Sequence, residues 1–176
     1  MTDRLSGTAH RYTVTREEDT SAEAAGELSL SLPQVTPHGL ASASMPRTLA
    51  AVSLLVDDYD RAIRFYTQAL RFEVLEDTVL SPGKRWVRVA PAGGGTALLL
   101  ARAATPEQQA LVGGQGAGRV WLFLQTDDFD GELAHFRAHS VRLLEEPRRE
   151  AYGRVVVFLD LHGNRWDLIE PIEAGP

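Results

Sequence analysis

Acidic residues occur in this sequence in adjacent pairs that could support metal chemistry. Asp57-Asp58 and Asp127-Asp128 each follow an apolar run. Clustered carboxylates are ligands for hard divalent ions. Their return at the same structural place instead favours helix capping, because an aspartate side chain accepts hydrogen bonds from the first free amides of a helix. We therefore predict that both pairs act as helix caps.

Two histidines also have a spacing that is compatible with a metal site. His135 and His139 are four residues apart, which places them on one face of a helix. We expect this helix to pack outside a sheet, with both imidazoles towards solvent. The spacing therefore predicts a surface role for the pair.

The segments that carry the acid pairs are two copies of one pattern. Leu55–Asp60 returns as Gln125–Asp130, seventy residues later. Each copy ends an apolar run and opens a helical pattern. Two copies are too few for a solenoid. They predict two similar half-units that share one core, with a pocket between them.

Composition excludes several classes of protein. The chain has 176 residues, 44% hydrophobic and 24% charged, as in ordinary globular domains. Its net charge of −6 disfavours binding to nucleic acid or to anionic membranes. The absence of cysteine excludes disulfides and thiolate metal sites. No apolar run is long enough to cross a membrane and no secretory signal is visible, so we expect a cytoplasmic protein.

The first 45 residues differ in character from the rest. They are rich in Ser, Thr, Ala, Glu and Pro, and Tyr12 is their only aromatic residue. Such a segment buries too little apolar surface to offset the entropy of ordering it. We predict a disordered tail over 1–45 and a functional domain over 46–176, with halves at about 49–103 and 118–172.

Each half of the domain has the same predicted order of elements. The strands are bounded by turns at Gly83, Gly93–Gly95, Gly153 and His162–Asn164, and a linker over Gly113–Gly118 joins the halves. One helix in each half carries a periodic apolar face, and Thr105 opens a short connecting helix. The predicted strands are Ala51–Val56, Phe72–Asp77, Arg85–Pro91, Thr96–Ala101, Arg119–Thr126, Val141–Glu146, Arg154–Asp160 and Arg165–Glu170.

This order predicts an α+β fold made of two βαβββ half-modules. A four-stranded sheet with one helix leaves one face open. Two such sheets can form a shared, incomplete curved β-barrel with the helices outside. The concave side of the barrel is the usual place for a small ligand.

The sequence resembles the vicinal oxygen chelate superfamily of glyoxalases, bleomycin-resistance proteins and extradiol dioxygenases. The resemblance lies in Val52–Leu70, Val120–Phe136 and Asp160–Glu170, and it covers about residues 49–172. It implies the fold, and a homodimer, since many relatives of this size dimerise. It does not specify the reaction, because the superfamily includes lyases, dioxygenases and non-catalytic binders.

The resemblance also implies four positions for metal ligands. The family's enzymes hold a divalent ion with His, Gln and Glu side chains. The matching positions here are Ala51, Ala97 or Leu98, Trp121 and Asp167. Of these, only Asp167 has a side chain that can bind a metal ion, and transition-metal sites generally need three or four ligands. We therefore expect no metal cofactor, and Asp167 is the best candidate for a catalytic residue if the protein is an enzyme.

If the ligand positions face the cleft, residues two apart from them do so as well. Trp166 has the opposite parity to Asp167 and is expected under a helix or at a subunit contact. We expect Arg88 to pair with Asp167 if both face inward, because a buried arginine needs a partner. Arg148, Arg149 and Tyr152 are candidates for the rim, where the alternative is an exposed salt-bridged hairpin. The predicted ligand-binding residues are Ser53, Arg88, Trp121, Phe123, Gln125, Arg149, Tyr152 and Asp167.

These expectations favour a protein that binds a small organic molecule in an apolar cleft without a metal centre. The alternative is a metal-dependent lyase or dioxygenase of the same superfamily. A metal-free enzyme with Asp167 as its general base is a third possibility, which requires burial to raise the pKa of that carboxyl group.

Overall fold

Two copies of one βαβββ unit build residues 47–172, the part of the chain described by the computed structural model. The first half contains β1 (Ala51–Val56), α1 (Tyr59–Gln68), β2 (Phe72–Ser81), β3 (Lys84–Pro91) and β4 (Ala97–Arg102). A short helix, α2 (Pro106–Leu111), leads to the second half. That half contains β5 (Val120–Gln125), α3 (Phe129–Ala138), β6 (Arg142–Leu143), β7 (Arg148–Glu150), β8 (Gly153–Leu159) and β9 (Arg165–Pro171). The predicted tail over 1–45 lies outside the described residues.

The predicted fold class is confirmed. The first sheet has the strand order β1-β4-β3-β2, and the second has β5-β9-β8-β6 with β7 also paired to β8. In each half the first and last strands are parallel and the remaining pairs are antiparallel. The two sheets do not close into a barrel.

Both long helices begin at the predicted aspartates. Asp58 accepts a hydrogen bond from the amide of Arg61 at 2.8 Å, and Asp128 accepts one from the amide of Gly131 at 3.0 Å. Each side chain thereby satisfies a donor that the helix itself leaves free. The capping role is confirmed for the second aspartate of each pair.

One strand of the second half is shorter than predicted. The sequence predicts a strand over Val141–Glu146, but the structure has only Arg142–Leu143 there and resumes pairing at Arg148. The side chain of Glu145 accepts the hydrogen bond of the Val157 amide at 3.1 Å, and Pro147 has no amide hydrogen to donate. The strand is therefore interrupted where its backbone hydrogen bonds to β8 are missing.

A single hydrophobic core spans both halves. Tyr66 of α1 lies 6.3 Å from Trp166 of β9 between ring centroids, and Phe72 of β2 lies 6.2 Å from the same indole. Trp166 is 3% exposed and packs against Tyr66 of α1, so of its two predicted places, under a helix or at a subunit contact, the structure shows the first. The halves are thus joined through side chains rather than through a continuous sheet.

A buried carboxylate anchors this junction. Asp160 accepts hydrogen bonds from the backbone amides of residues 162–164, each at 3.0 Å, and from the Tyr66 hydroxyl at 2.9 Å. Asn164 and Trp166 also donate to it. Burial, followed by the charge of Asp160, raises the pKa of Tyr66 well above its ordinary value. The first and second halves are therefore tied together at the turn before β9.

Candidate functional site

Each sheet has one face packed against its helix. The opposite face, which points away from the helix, is the outer face. In the first half the core takes Leu54 and Val56 from β1, so Ala51, Ser53 and Leu55 lie on the outer face. In the second half Leu168 lies in the core and Asp167 on the outer face. These two outer faces carry most of the residues that the sequence predicted for the site.

The register of the strands identifies the positions that correspond to metal ligands. Phe123 is the cross-strand partner of Asp167, and Ser53, seventy residues before Phe123, is the partner of Leu99. Leu99 thus occupies in the first half the place of Asp167 in the second. Leu98 instead lies in the core.

The residues at the family's metal positions do not fit a metal ion. Ala51, Ala97 and Leu99 have no donor atom in their side chains, and an indole nitrogen such as that of Trp121 is a donor only. Within residues 47–172, no cluster of three or more His, Cys, Asp or Glu side chains has metal-binding geometry. His135 and His139 stack with 4.0 Å between ring centroids, and His135 instead hydrogen-bonds the carbonyl of Gln68 at 2.9 Å.

Arg88 and Asp167 do not form the expected pair. Arg88 lies 3.8 Å from Glu76, its cross-strand neighbour in the first sheet. The charges that influence the pKa of Asp167 are those of Arg148 and Glu150, within its own half. Arg88 and Asp167 do not pair because the charged partners of each residue lie within its own sheet, on a neighbouring strand.

Asp167 is a buried carboxyl group with an unused acceptor. It is 5% exposed, and its Oδ1 has no hydrogen-bond partner among residues 47–172. Burial raises the pKa of Asp167 above its ordinary value of 3.8, although the positive charge of Arg148 opposes the shift.

Arg148, and not Arg149, is the arginine on this outer face. Arg148 is the cross-strand partner of Val155, which shares its face with Asp167, while Arg149 is exposed and has the opposite parity. Arg148 donates to Glu150 at 2.7 Å and also contacts Glu145. The hydrogen bond to Glu150 is the main cause of its raised pKa, and Tyr152 adds a smaller contribution. The sequence named both arginines as candidates for the rim, but it could not tell which of them lies on the outer face.

Ser53 and Trp121 take part in contacts with the linker between the halves. The amide side chain of Gln115 accepts a hydrogen bond from Leu55 N at 2.6 Å and donates one to Ser53 O at 3.2 Å. It thereby pairs both backbone groups of an otherwise free strand edge. Trp121 lies at an irregularity of β5, against Gly116 and the core. Sequence reasoning missed Gln115 because its partner strand is sixty residues away.

His162, predicted at the rim, connects the halves. Its side chain is 4% exposed, and Nε2 lies 2.8 Å from Oδ1 of Asp57. This hydrogen bond is the largest cause of the lowered pKa of Asp57. The contact holds the turn before β9 against the end of β1.

A mainly apolar crevice of about 540 Å³ lies between the halves. This volume is within the usual range of small-molecule sites, roughly 300–1,000 Å³. Two predicted site residues, Phe123 and Gln125, border it. Its full lining is Leu49, Val52, Phe72, Pro91, Gly93, Gly94, Gly95, Thr96, Leu98, Leu122, Phe123, Leu124, Gln125 and Trp166.

Comparison with known proteins agrees with the geometry of the fold. A protein of Shewanella frigidimarina (strain NCIMB 400) is 44% identical over 134 residues, which cover 75% of this chain and 99% of that protein. TnmS3, an antibiotic binding protein from Streptomyces sp. CB03234, is 29% identical with a TM-score of 0.60, over 73% of this chain and 98% of TnmS3. A glyoxalase/bleomycin resistance protein from the same Streptomyces strain is 30% identical with a TM-score of 0.57, over 69% of this chain and 99% of that structure.

The family follows from the sequence match as well as from the fold. The model of the Glyoxalase/Bleomycin resistance protein/Dioxygenase superfamily matches residues 48–168, which is more than half of the chain. None of the helices in residues 47–172 is long and apolar enough to cross a membrane. The repeated βαβββ halves and the matched residues show that this chain belongs to the Glyoxalase/Bleomycin resistance protein/Dioxygenase superfamily.

Proposed function

We propose that this protein binds a small, largely apolar organic molecule in the crevice between its halves and needs no metal ion to do so. The crevice carries the proposal, because its volume suits a small molecule and most of its lining is apolar. Phe123, which lines the crevice and is 63% exposed, supplies aromatic surface, which binds flat ligands well. The similar protein TnmS3 binds an antibiotic, which supports ligand binding as the role of this fold here.

The polar groups at the crevice would orient the ligand rather than transform it. Gln125 and Thr96 are neutral, and none of the described residues that line the space has a titratable side chain. General acid–base catalysis needs such a group within hydrogen-bonding reach of the substrate. Binding and sequestration are therefore favoured over a reaction at this place, and a compound of the antibiotic type is the ligand class that we propose.

A variant that fills the crevice tests the proposal. Gly93 borders the crevice, and a Cβ added there meets no atom within 4 Å. Gly93→Phe should lower the affinity for the neutral apolar probe N-phenyl-1-naphthylamine by roughly tenfold, since its ring occupies the binding space. Gly93→Ala adds one methyl group to the same open place and should bind as the parent does.

The probe experiment has a clear contrary result. Equal affinity of the Phe and Ala variants, measured from the emission of the bound probe, would show that the probe binds elsewhere. Calorimetric titration with Ni, Zn, Mn and Fe(II) tests the alternative enzyme. Tight stoichiometric binding of one of these ions would favour the lyase or dioxygenase reading.

We also propose that the protein is a homodimer, as the resemblance implied, and that it is located in the cytoplasm, as expected from the sequence. β2 is a ten-residue edge strand, and Val79 and Leu80 on it are 73% and 53% exposed. Exposed apolar residues on a free strand edge are typical of contact surfaces. Light scattering should give twice the chain mass for the parent, and the mass of a single chain for Val79→Lys.

A further inference from the structure

One edge of the first sheet is covered by a side chain rather than by a strand. β1 is the terminal strand of its sheet and has β4 on one side. The amide of Ala103 donates to the carbonyl of Val56 at 2.9 Å, so the even-numbered residues of β1 direct their backbone groups towards β4. Ser53 and Leu55 therefore direct their backbone groups towards the opposite edge.

The side-chain amide of Gln115 occupies this edge. Its Oε1 accepts a hydrogen bond from the amide of Leu55 at 2.6 Å, and its Nε2 donates one to the carbonyl of Ser53 at 3.2 Å. One residue of a parallel neighbouring strand makes the same two bonds with its own C=O and N–H groups. Gln115 therefore takes the place that the backbone of a further strand would fill.

The linker on both sides of Gln115 is packed closely against the second half. Gly113 has a φ of +75°, and a Cβ added there would clash with the carbonyl oxygen of His162. A Cβ added to Gly116 would lie 2.8 Å from the Cβ of Trp121. Because glycine is required at these two positions, the second half holds the linker, and with it Gln115, against β1.

The edge that Gln115 covers is suited to pairing with another strand. The residues of β1, Ala51–Val56, have the sequence AVSLLV, which contains no charged residue, no glycine and no proline. Charged residues and proline are common means by which proteins prevent a strand edge from adding a further strand. The protection of this edge therefore depends on the linker and not on the sequence of the strand.

We infer that the β1 edge is a latent interaction surface for β1 of a second copy of this chain, and that Gln115 keeps it closed. When the linker is released, the two strands pair antiparallel about a twofold axis. The carbonyl of Ser53 then accepts from the amide of Leu55 of the second copy, and the reverse bond forms as well. This surface is separate from the proposed β2 contact, because β1 and β2 lie at opposite edges of the first sheet.

Light scattering on the full chain tests this inference, with Val79→Lys present in every sample. Val79→Lys is designed to remove the proposed β2 contact, so a rise in mass above this background reports on another surface. We expect the background variant to keep one mass over a roughly hundredfold range of concentration. Gln115→Ala in the same background should approach twice that mass at the upper end of the range.

Three further variants separate the opening of the edge from a general effect of substitution. Gln109→Ala removes an exposed glutamine of α2 and should leave the mass of the background unchanged. Gly116→Ala displaces the linker but keeps Gln115, so it should raise the mass as Gln115→Ala does. Ser53→Pro removes an N–H group from the free edge and, added to Gln115→Ala, should restore the mass of the background.

An unchanged mass for Gln115→Ala, or a rise in mass that Ser53→Pro leaves in place, would overturn the inference. If the linker variants do not fold, hydrogen exchange on the parent provides the test. The amide of Leu55 should exchange roughly tenfold more slowly than that of Ser53, because Gln115 bonds only the first of these two edge amides. Equal exchange rates would show that Gln115 does not cover the edge.

Discussion

The two halves share a backbone plan and differ in the side chains that could bind a ligand. In both, an aspartate caps the helix and the first strand runs parallel to the last. On the outer faces, however, Leu99 stands where the second half has Asp167. The first sheet ends in a continuous ten-residue strand, whereas the matching strand of the second is interrupted before Arg148. The repeat thus preserves the scaffold and leaves the chemistry free to diverge.

The turns before the last strands show the same divergence. In the second half, Asp160 gathers the backbone amides and side chains around it. The equivalent place in the first half is the run Gly93–Gly95, where an added Cβ meets no neighbour within 4 Å. The turn before β9 is therefore fixed by a buried carboxylate, whereas the turn before β4 leaves open space that forms part of the crevice.

Removal of the Asp160 carboxylate should give the largest effect. Asp160→Ala leaves several buried donors without an acceptor, so we expect the free energy of unfolding to fall by about 3 kcal/mol or more. Tyr66→Phe removes only one of these hydrogen bonds and should cost about 1–2 kcal/mol. Urea denaturation measures both. A loss below that of Tyr66→Phe would contradict the anchoring role of Asp160.

The two helix caps should cost similar amounts when removed. Asp58→Ala and Asp128→Ala each delete a bond to a first-turn amide, with an expected loss of about 1 kcal/mol. Asp127→Asn, which changes no cap, is the control and should be near neutral. Markedly unequal losses in urea would show that the halves are less alike in energy than in geometry.

Neutralisation of Asp167 should stabilise the protein, unlike the changes above. Its folded pKa is raised above the unfolded value, so ionisation opposes folding once the pH exceeds 3.8. Asp167→Asn should therefore raise Tm at neutral pH, and the difference from the parent should shrink as the pH falls towards 3.8. A constant or inverted difference across the pH series would contradict a buried, poorly solvated carboxylate.

The ion pair on the first outer face should matter least. Arg88 and Glu76 are 3.8 Å apart and partly exposed, and pairs of this kind contribute roughly 0–1 kcal/mol. Arg88→Ala should change the free energy of unfolding by less than about 0.5 kcal/mol. A larger loss would indicate that Arg88 has a partner beyond Glu76.

Most of the scaffold could be predicted from local patterns. The repeat Leu55–Asp60 and Gln125–Asp130 located both caps, and periodicity predicted Trp166 under a helix or at a subunit contact, of which the structure shows the first. These features depend on neighbours within a few residues, which the sequence shows directly. The interruption at Pro147 was missed because it depends on Glu145 bonding to Val157, a contact between strands.

The sequence by itself determined the family, the duplicated βαβββ plan and the lack of donor side chains at three of the four family metal positions. Only the tertiary structure decided which charges meet: Arg88 with Glu76, and Arg148 with Glu145 and Glu150. It also left Oδ1 of Asp167 without a hydrogen-bond partner among residues 47–172. The reason is that residue type and parity are local properties of the chain. Electrostatic partners and burial depend instead on strand register and on how the two halves pack together.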